Sequence, residues 1–159
     1  IKEGDKQVIE DATRLCSGDD VSRMTAQDFC NRVFCTAFMG MKEQSSKETR
    51  SRAKDLAAAI GAHHIDCDID EVYNAVKSLV SKTLGFEPKF KVHGGSQAEN
   101  LALQNFQSRT RMIMSYGLGQ LLPFSRGGGG SLLVLGSANV SDTKGNFVRF
   151  ITNSISLGR

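Results

Sequence analysis

Residues 131–136, "SLLVLG", form an apolar run of strand length with no polar residue breaking it before the closing glycine. A strand with one wet face alternates; a run that does not alternate is buried on both faces, as in a parallel sheet with helices on each side. "RVFCTAFMG" (32–40) has the same character and also ends in glycine, so it reads as a second buried strand. Between them "AHHIDCDID" (62–70) alternates, with Ile65, Cys67 and Ile69 on one side and Asp66, Asp68 and Asp70 on the other. This is expected to be a strand whose acidic side is a solvated surface, with a magnesium role as the lesser reading.

The segments between these strands carry helical signals. "SSKETRSRAKDLAAAIG" (45–61) opens with Ser45 and Glu48 in capping-box spacing and ends at Gly61, with Ala53, Leu56, Ala57 and Ile60 on one face. "DEVYNAVKSLVSKTLG" (70–85) places Val72, Val76, Leu79 and Thr83 on one stripe and stops at Gly85. Residues 5–16 are expected to form a short amphipathic helix, followed by a polar stretch, "SGDDVSRMTAQD". The connection 86–98, with its proline and Gly-Gly pair, is long for a compact domain. The glycines of "RGGGGS" (126–131) lead into a strand rather than a helix, so they read as a solvated linker and not a phosphate cradle.

"ENLALQNFQSRTRMIMSYGLGQLLPF" (99–124) is the longest helical stretch, with Leu103, Phe106, Ile113, Met114, Gly117 and Leu121 as its apolar seam, passing through Thr110. Arg109 and Arg111 flank that seam. At about 100° per residue they diverge by roughly 200°, so they do not aim at one phosphate. One is expected to face a ligand or a neighbouring element, the other solvent or an acidic partner.

The resulting order is strand, helix, strand, helix, long loop, helix, strand. It indicates an α/β fold with a mostly parallel sheet. The 159 residues suit one domain, and a net charge of +3 without a basic, aromatic-laced stripe gives no case for a nucleic-acid partner. No apolar run has the length of a membrane span. Cys16, Cys30, Cys35 and Cys67 lack metal-ligand spacing and read as reduced thiols of a cytosolic protein; His63 and His64 are adjacent, so on a strand they point to opposite faces and read as structural.

"HGGSQAENLALQNFQSRTRMIMSY" followed by "LLVLGSANV", together with "FMGMKEQSSKETRSRAKDLAAAIGAHHID", resembles the synthetase domain of glutamine-dependent NAD synthetases of the eukaryotic type, over about residues 28–140. The resemblance implies the Rossmann-like, adenine-nucleotide α-hydrolase sheet of the ATP pyrophosphatases, with ATP and Mg2+ as cofactors and a cytoplasmic setting. It implies adenylation of deamido-NAD by ATP, then displacement of AMP by ammonia from a glutaminase domain that this chain does not contain. Such chemistry rests on positioning and charge neutralisation and needs no nucleophilic side chain. Carried over by position, Arg109 would bind deamido-NAD, Ser137 would contact ATP, and Asp142 would stand where the family has a magnesium-binding glutamate. A homo-oligomer is implied for the full-length protein. The alternative, of a different class, is a catalytically inactive nucleotide-binding or oligomerisation module of the same fold.

Two departures from the family pattern carry expectations of their own. The family's serine-glycine-glycine-x-aspartate-serine loop, which holds the ATP phosphates, is not found in these 159 residues. The chain is therefore expected to be incomplete at both ends, inactive alone, and poorly folded in isolation because of exposed sheet edges. Residues 141–159 depart from the family's words and are expected to be a non-family tail, which leaves residues 1–140 as a partial synthetase domain.

Overall fold

In the computed structural model, the described residues are 4–16, 18–135 and, as backbone, 148–154. Helix α1 (Lys6–Leu15) starts at Asp5, whose carboxylate accepts the Val8 amide at 3.1 Å. The polar stretch after it is more ordered than its composition suggested. It forms a 3-10 turn at Val21–Arg23 and then helix α2 (Ala26–Val33), nucleated by a complete capping box between Thr25 and Asp28. Arg32 and Val33 thus belong to a helix, and strand β1 begins only at Phe34 (Phe34–Gly40).

Helix α3 (Lys47–Ile60) is capped by Ser46, which accepts the Thr49 amide at 3.1 Å. Ser45 was the expected cap; its hydroxyl instead accepts the Met41 amide at 2.9 Å and ties down the loop leaving β1. Gly61 takes the left-handed conformation, φ 75°, that closes the helix. Ala57 is buried on α3, whereas Leu56 and Ile60 are exposed. Strand β2 (His63–Asp68) follows, then α4 (Asp70–Leu84), which ends at Gly85. The inward stripe of α4 runs through Tyr73, half-buried Val76 and half-buried Val80, one position round from the expected one; Val72 and Leu79 face outward.

Helix α5 (Gln97–Ser125) is 29 residues long and opens on a second capping box, Ser96 with Glu99. Its buried row is Leu103, Gln107, Thr110, Arg111, Ser115 and Gly119. Ile113 and Leu121, expected in the seam, are exposed. The difference has a physical cause: α5 crosses polar ground at the carboxyl edge of the sheet, so its inner face is chosen by hydrogen bonding as much as by hydrophobicity. Gly119 permits the closest approach, since a Cβ there would stand 3.1 Å from a Val134 methyl on strand β3 (Ser131–Leu135).

β1 and β2 pair in parallel, Cys35 opposite His63 through Gly40 opposite Asp68. A strand not anticipated from the sequence, β4 (Val148–Ser154), lies between β1 and β3 and is antiparallel to both, giving the order β2-β1-β4-β3. β3 consequently runs in the same direction as β1 and β2. The backbone of β4 pairs along the side of β1 away from β2 and so satisfies the ladder groups there. The proposed boundary at residue 140 lies outside the described residues.

The main core joins Cys35, Ala37 and Met39 of β1 to Ile69 and Tyr73 at the start of α4, to Leu103 of α5 and to Leu132 of β3. A satellite cluster of Ala12, Cys16 and Val21 anchors the amino-terminal helices. On the other sheet face, Arg50 of α3 stacks over the Phe38 ring, 5.3 Å from its centroid, and pairs with Asp68 and, at 3.4 Å, with Asp66. The alternating acidic face of β2 is therefore occupied by a guanidinium.

Candidate functional site

The carboxyl ends of β1 and β2 open into a cleft of about 1130 Å³. In open α/β sheets this edge is where ligands bind, because the strands stop there and the following loops splay apart. One wall is the loop after β1, with Met41, Lys42, Glu43 and Gln44; the second is the first turns of α4, with Asp70, Tyr73, Asn74 and Lys77. The third is α5, which presents Leu101, Gln104, Asn105, Gln107, Ser108 and Arg111, and the rim is closed by Phe90, Val92 and His93.

The cleft walls are held by bonds between sequence-distant segments. The Lys42 amide donates to both oxygens of Asp70, at 3.3 and 3.2 Å, locking the β1 loop to the amino-terminus of α4. Gln107 donates from Nε2 to Gln44 Oε1 at 2.8 Å across the cleft floor. Lys77 is held by Glu87 at 2.7 Å, and that bond draws the Glu87 carboxyl below its ordinary range. Tyr73 is buried, and burial pushes its phenol up, so it stays a neutral hydroxyl.

The long 86–98 connection is an ordered rim. Glu99 accepts the Ser96 amide at 2.7 Å and the Lys89 amide at 3.2 Å, and Asn100 accepts the Lys91 amide at 3.1 Å. These bonds also draw the Glu99 carboxyl down. Gly95 is required by the fold: a Cβ there would meet the Lys89 carbonyl oxygen at 1.9 Å.

The two arginines of the α5 stretch part company as the helical wheel required. Arg111 is 3% exposed; its Nε donates to the Met39 carbonyl at 3.0 Å, and its own carbonyl accepts the Ser115 hydroxyl at 2.7 Å. Arg109 is exposed and does not line the cleft. It continues the row Leu101–Asn105–Arg109 along the helix, one turn beyond the cleft lining. Ser137 and Asp142 lie outside the described residues. Gln44, Asn74 and Gln107 were not singled out from sequence, whereas Arg111 was one of two arginines of which one was expected to face a ligand or a neighbouring element; the signal that could have found Gln44 is its place just past the end of a buried strand.

Metal chemistry finds little support in the described residues. Among them no three His, Cys, Asp or Glu side chains gather as a metal-binding group. Asp66 and Asp68 are taken by Arg50, and Asp70 by the Lys42 amide. These residues do not fit a resident magnesium. The four cysteines are unbridged, and burial raises the thiols of Cys16, Cys35 and Cys67, so none of these three is an activated thiolate. Near the amino ends of the strands, a crevice of about 40 Å³ between Cys16, Cys35 and Arg126 has room for little more than water.

Parallel strands ending in a polar, helix-walled cleft define an α/β protein with a candidate ligand site at the carboxyl edge of its sheet. Comparison with known proteins makes the assignment specific. The family described as NAD synthase matches residues 17–149. The chain is 51% identical over 142 residues to the glutamine-dependent NAD(+) synthetase of Saccharomyces cerevisiae, covering 87% of this chain and 20% of that protein. It is 45% identical over 144 residues to the protein of that name in Dictyostelium discoideum and 43% over 143 residues to the one in Homo sapiens, each match covering 90% of this chain and 20% of the relative. The chain belongs to the NAD synthase family. It spans about a fifth of the length of these relatives.

Proposed function

We propose that this chain forms part of the nucleotide site of an enzyme that makes NAD from deamido-NAD, ATP and ammonia released from glutamine. The observation that carries the reading is the cleft at the carboxyl edge of a sheet whose sequence belongs to the NAD synthase family. In this chemistry the nicotinate carboxylate attacks the α-phosphate of MgATP and pyrophosphate leaves. Ammonia then adds to the acyl-adenylate, loses a proton and expels AMP, leaving the amide. The magnesium enters with ATP as part of the substrate.

Both steps gain most from fixed positions and from cations near the phosphates. The cleft supplies amide and hydroxyl groups for orientation, with Lys42, Lys77 and Arg111 as cations. Arg109, just beyond the lining of α5, is proposed to reach deamido-NAD; Ser137 is proposed to contact ATP, and Asp142 is the candidate acidic partner for its metal. A cytoplasmic setting agrees with four unbridged cysteines. Among the described residues no helix is long and apolar enough to cross a membrane.

The test is binding of MgATP and of deamido-NAD to the chain by titration calorimetry, with AMP release measured in the presence of ammonia. Binding of at least one nucleotide without turnover is the expected outcome, because the chain holds a fifth of the relatives' length. Absence of any nucleotide binding by a chain that melts cooperatively overturns the reading; AMP release by the chain alone overturns the expectation that the remaining segments are needed.

One observation bears on the second reading, an oligomerisation module. The outer face of α5 turns Ile113, Tyr116, Leu121 and Phe124 to solvent, all more than half exposed, around Gly117. We propose this face as a self-association surface of the family fold, compatible with either reading.

A further inference from the structure

We infer that the crevice between Arg23, Arg32 and Arg126, at the amino edge of the sheet and away from the cleft, binds a small oxyanion of the phosphate class. The inference is independent of the nucleotide reading of the cleft.

Three sequence-distant segments build this crevice. The 3-10 turn and its cap supply Arg23 and Met24, α2 supplies Asp28, Asn31 and Arg32, and the carboxyl end of α5 supplies Arg126. The space is about 460 Å³ and open to solvent, enough for an anion of the size of pyrophosphate. Arg126 is half-buried at its inner wall. Its Nη1 donates to the Asn31 carbonyl and its Nη2 to Asn31 Oδ1, each at 2.8 Å, and Nη1 stands 4.0 Å from the Cys35 Sγ. All of these partners are uncharged, and among the described residues Arg126 forms no ion pair. The carbonyl ends of α2 and α5 hold the group in place, but peptide dipoles offset only part of a full charge. A guanidinium carries five N–H donors, so the two Asn31 bonds leave donors of Arg126 for a ligand.

The surrounding charges add to the same field. Arg32 pairs with Asp19 at 2.7 Å and Arg23 with Asp20 at 3.2 Å, and neither of these carboxylates lines the crevice. Asp28 does line it; it is exposed, and its Oδ2 accepts the Thr25 amide at 3.1 Å and the Thr25 hydroxyl at 2.6 Å. Among the described residues the lining thus sets three guanidinium groups against one carboxylate. Arg32 and Arg126 also border the small crevice beside Cys16 and Cys35, so two like charges are held at one boundary. Their repulsion raises the free energy of the fold, and an oxyanion of charge −2 or more between them relieves it. Planar guanidinium forks suit phosphate oxygens in paired bonds, and Asn31 has already fixed the fork of Arg126.

The experiment titrates the chain with inorganic pyrophosphate and, separately, with an acetylated tetraglutamate peptide, by calorimetry at fixed ionic strength. Saturable binding of pyrophosphate that weakens as salt is raised is the expected result. Arg126→Gln is expected to weaken it by about tenfold or more and Arg23→Gln, the exposed member, by about threefold. Arg52→Gln, on the exposed face of α3, is the control for loss of a charge and is expected to leave the affinity unchanged. No saturable binding by the unaltered chain overturns the inference. Equal affinity of Arg126→Gln and the unaltered chain also overturns it, since pyrophosphate then sits elsewhere. An equal loss in Arg52→Gln does the same, because it marks net charge and not a site. Tighter binding of the peptide than of pyrophosphate overturns the assignment to the phosphate class. Where Arg126→Gln fails to fold, judged by its amide spectrum, the arginine Nε–H resonances of the unaltered chain decide. Shifts of Arg126 and Arg32 together on adding pyrophosphate support the inference, and their constancy overturns it.

Discussion

His64 shows how one side chain is shaped by surroundings that its neighbours in sequence do not reveal. Its Nδ1 shares a 2.8 Å hydrogen bond with the Thr36 hydroxyl on the adjacent strand, while its Nε2 is buried without a partner. Burial holds its pKa below the ordinary histidine value; Lys54 adds to this and Asp66 opposes it. His63 is also held down, first by burial and then by Arg126 and His64. Both residues therefore favour the neutral form in the folded state. Above about pH 6.5 folded and unfolded chains are alike in these protons; below it the unfolded chain takes up protons that the folded one resists, and stability falls. Thermal melts between pH 8 and pH 5 should show the midpoint dropping as pH falls, with a weaker slope in His64→Gln. A midpoint that rises toward acid would contradict the assignment. The adjacency of His63 and His64 made opposite faces legible from sequence; the partner Thr36, 28 residues away, was not.

Elements were most legible where their ends carry local chemistry. Gly61 and Gly85 both adopt left-handed conformations where the sequence placed helix stops. The capping-box pattern Ser96-x-x-Glu99 is present in sequence and opens α5 two residues ahead of the expected start. Glu99 does more than cap: it also accepts the Lys89 amide, joining the rim of the cleft to the helix. Glu99→Ala should lower the thermal midpoint and speed hydrogen exchange at Ser96 and Lys89 together. Exchange that rises at Ser96 alone would show that the rim is held by other contacts. The inward faces of α4 and α5 were read less well than their ends. Apolar spacing alone pointed to Val72 and Leu79 on α4, while Tyr73 takes the core because the helix begins directly at the edge of β2.

For the molecule as a whole, the parallel pair β1–β2 followed from uninterrupted and alternating apolar patterns, and the pairing register agrees with it. Among the described residues β2 and β3 form the edges of the sheet, and several helices keep apolar residues outward. A patch such as Ile113, Tyr116, Leu121 and Phe124 on one helix marks an association surface more often than a bare face. Sedimentation velocity of the chain should show concentration-dependent self-association, and Leu121→Glu should weaken it by about tenfold or more. A cooperative melt from a soluble monomer that Leu121→Glu leaves unchanged would remove both the surface and the expectation of poor folding in isolation.

The amino-acid sequence by itself determined what depends on neighbours within a turn or two: helix stops at glycine, strand character, the divergence of Arg109 from Arg111, and the family words. Tertiary structure alone decided which of those two arginines is buried. That choice depends on the Met39 carbonyl, 72 residues away, reaching Arg111 at the end of β1. A helix wheel supplies the angle between two side chains, but the direction of the sheet's carboxyl edge is set by packing, and with it the side that becomes the floor of a cleft.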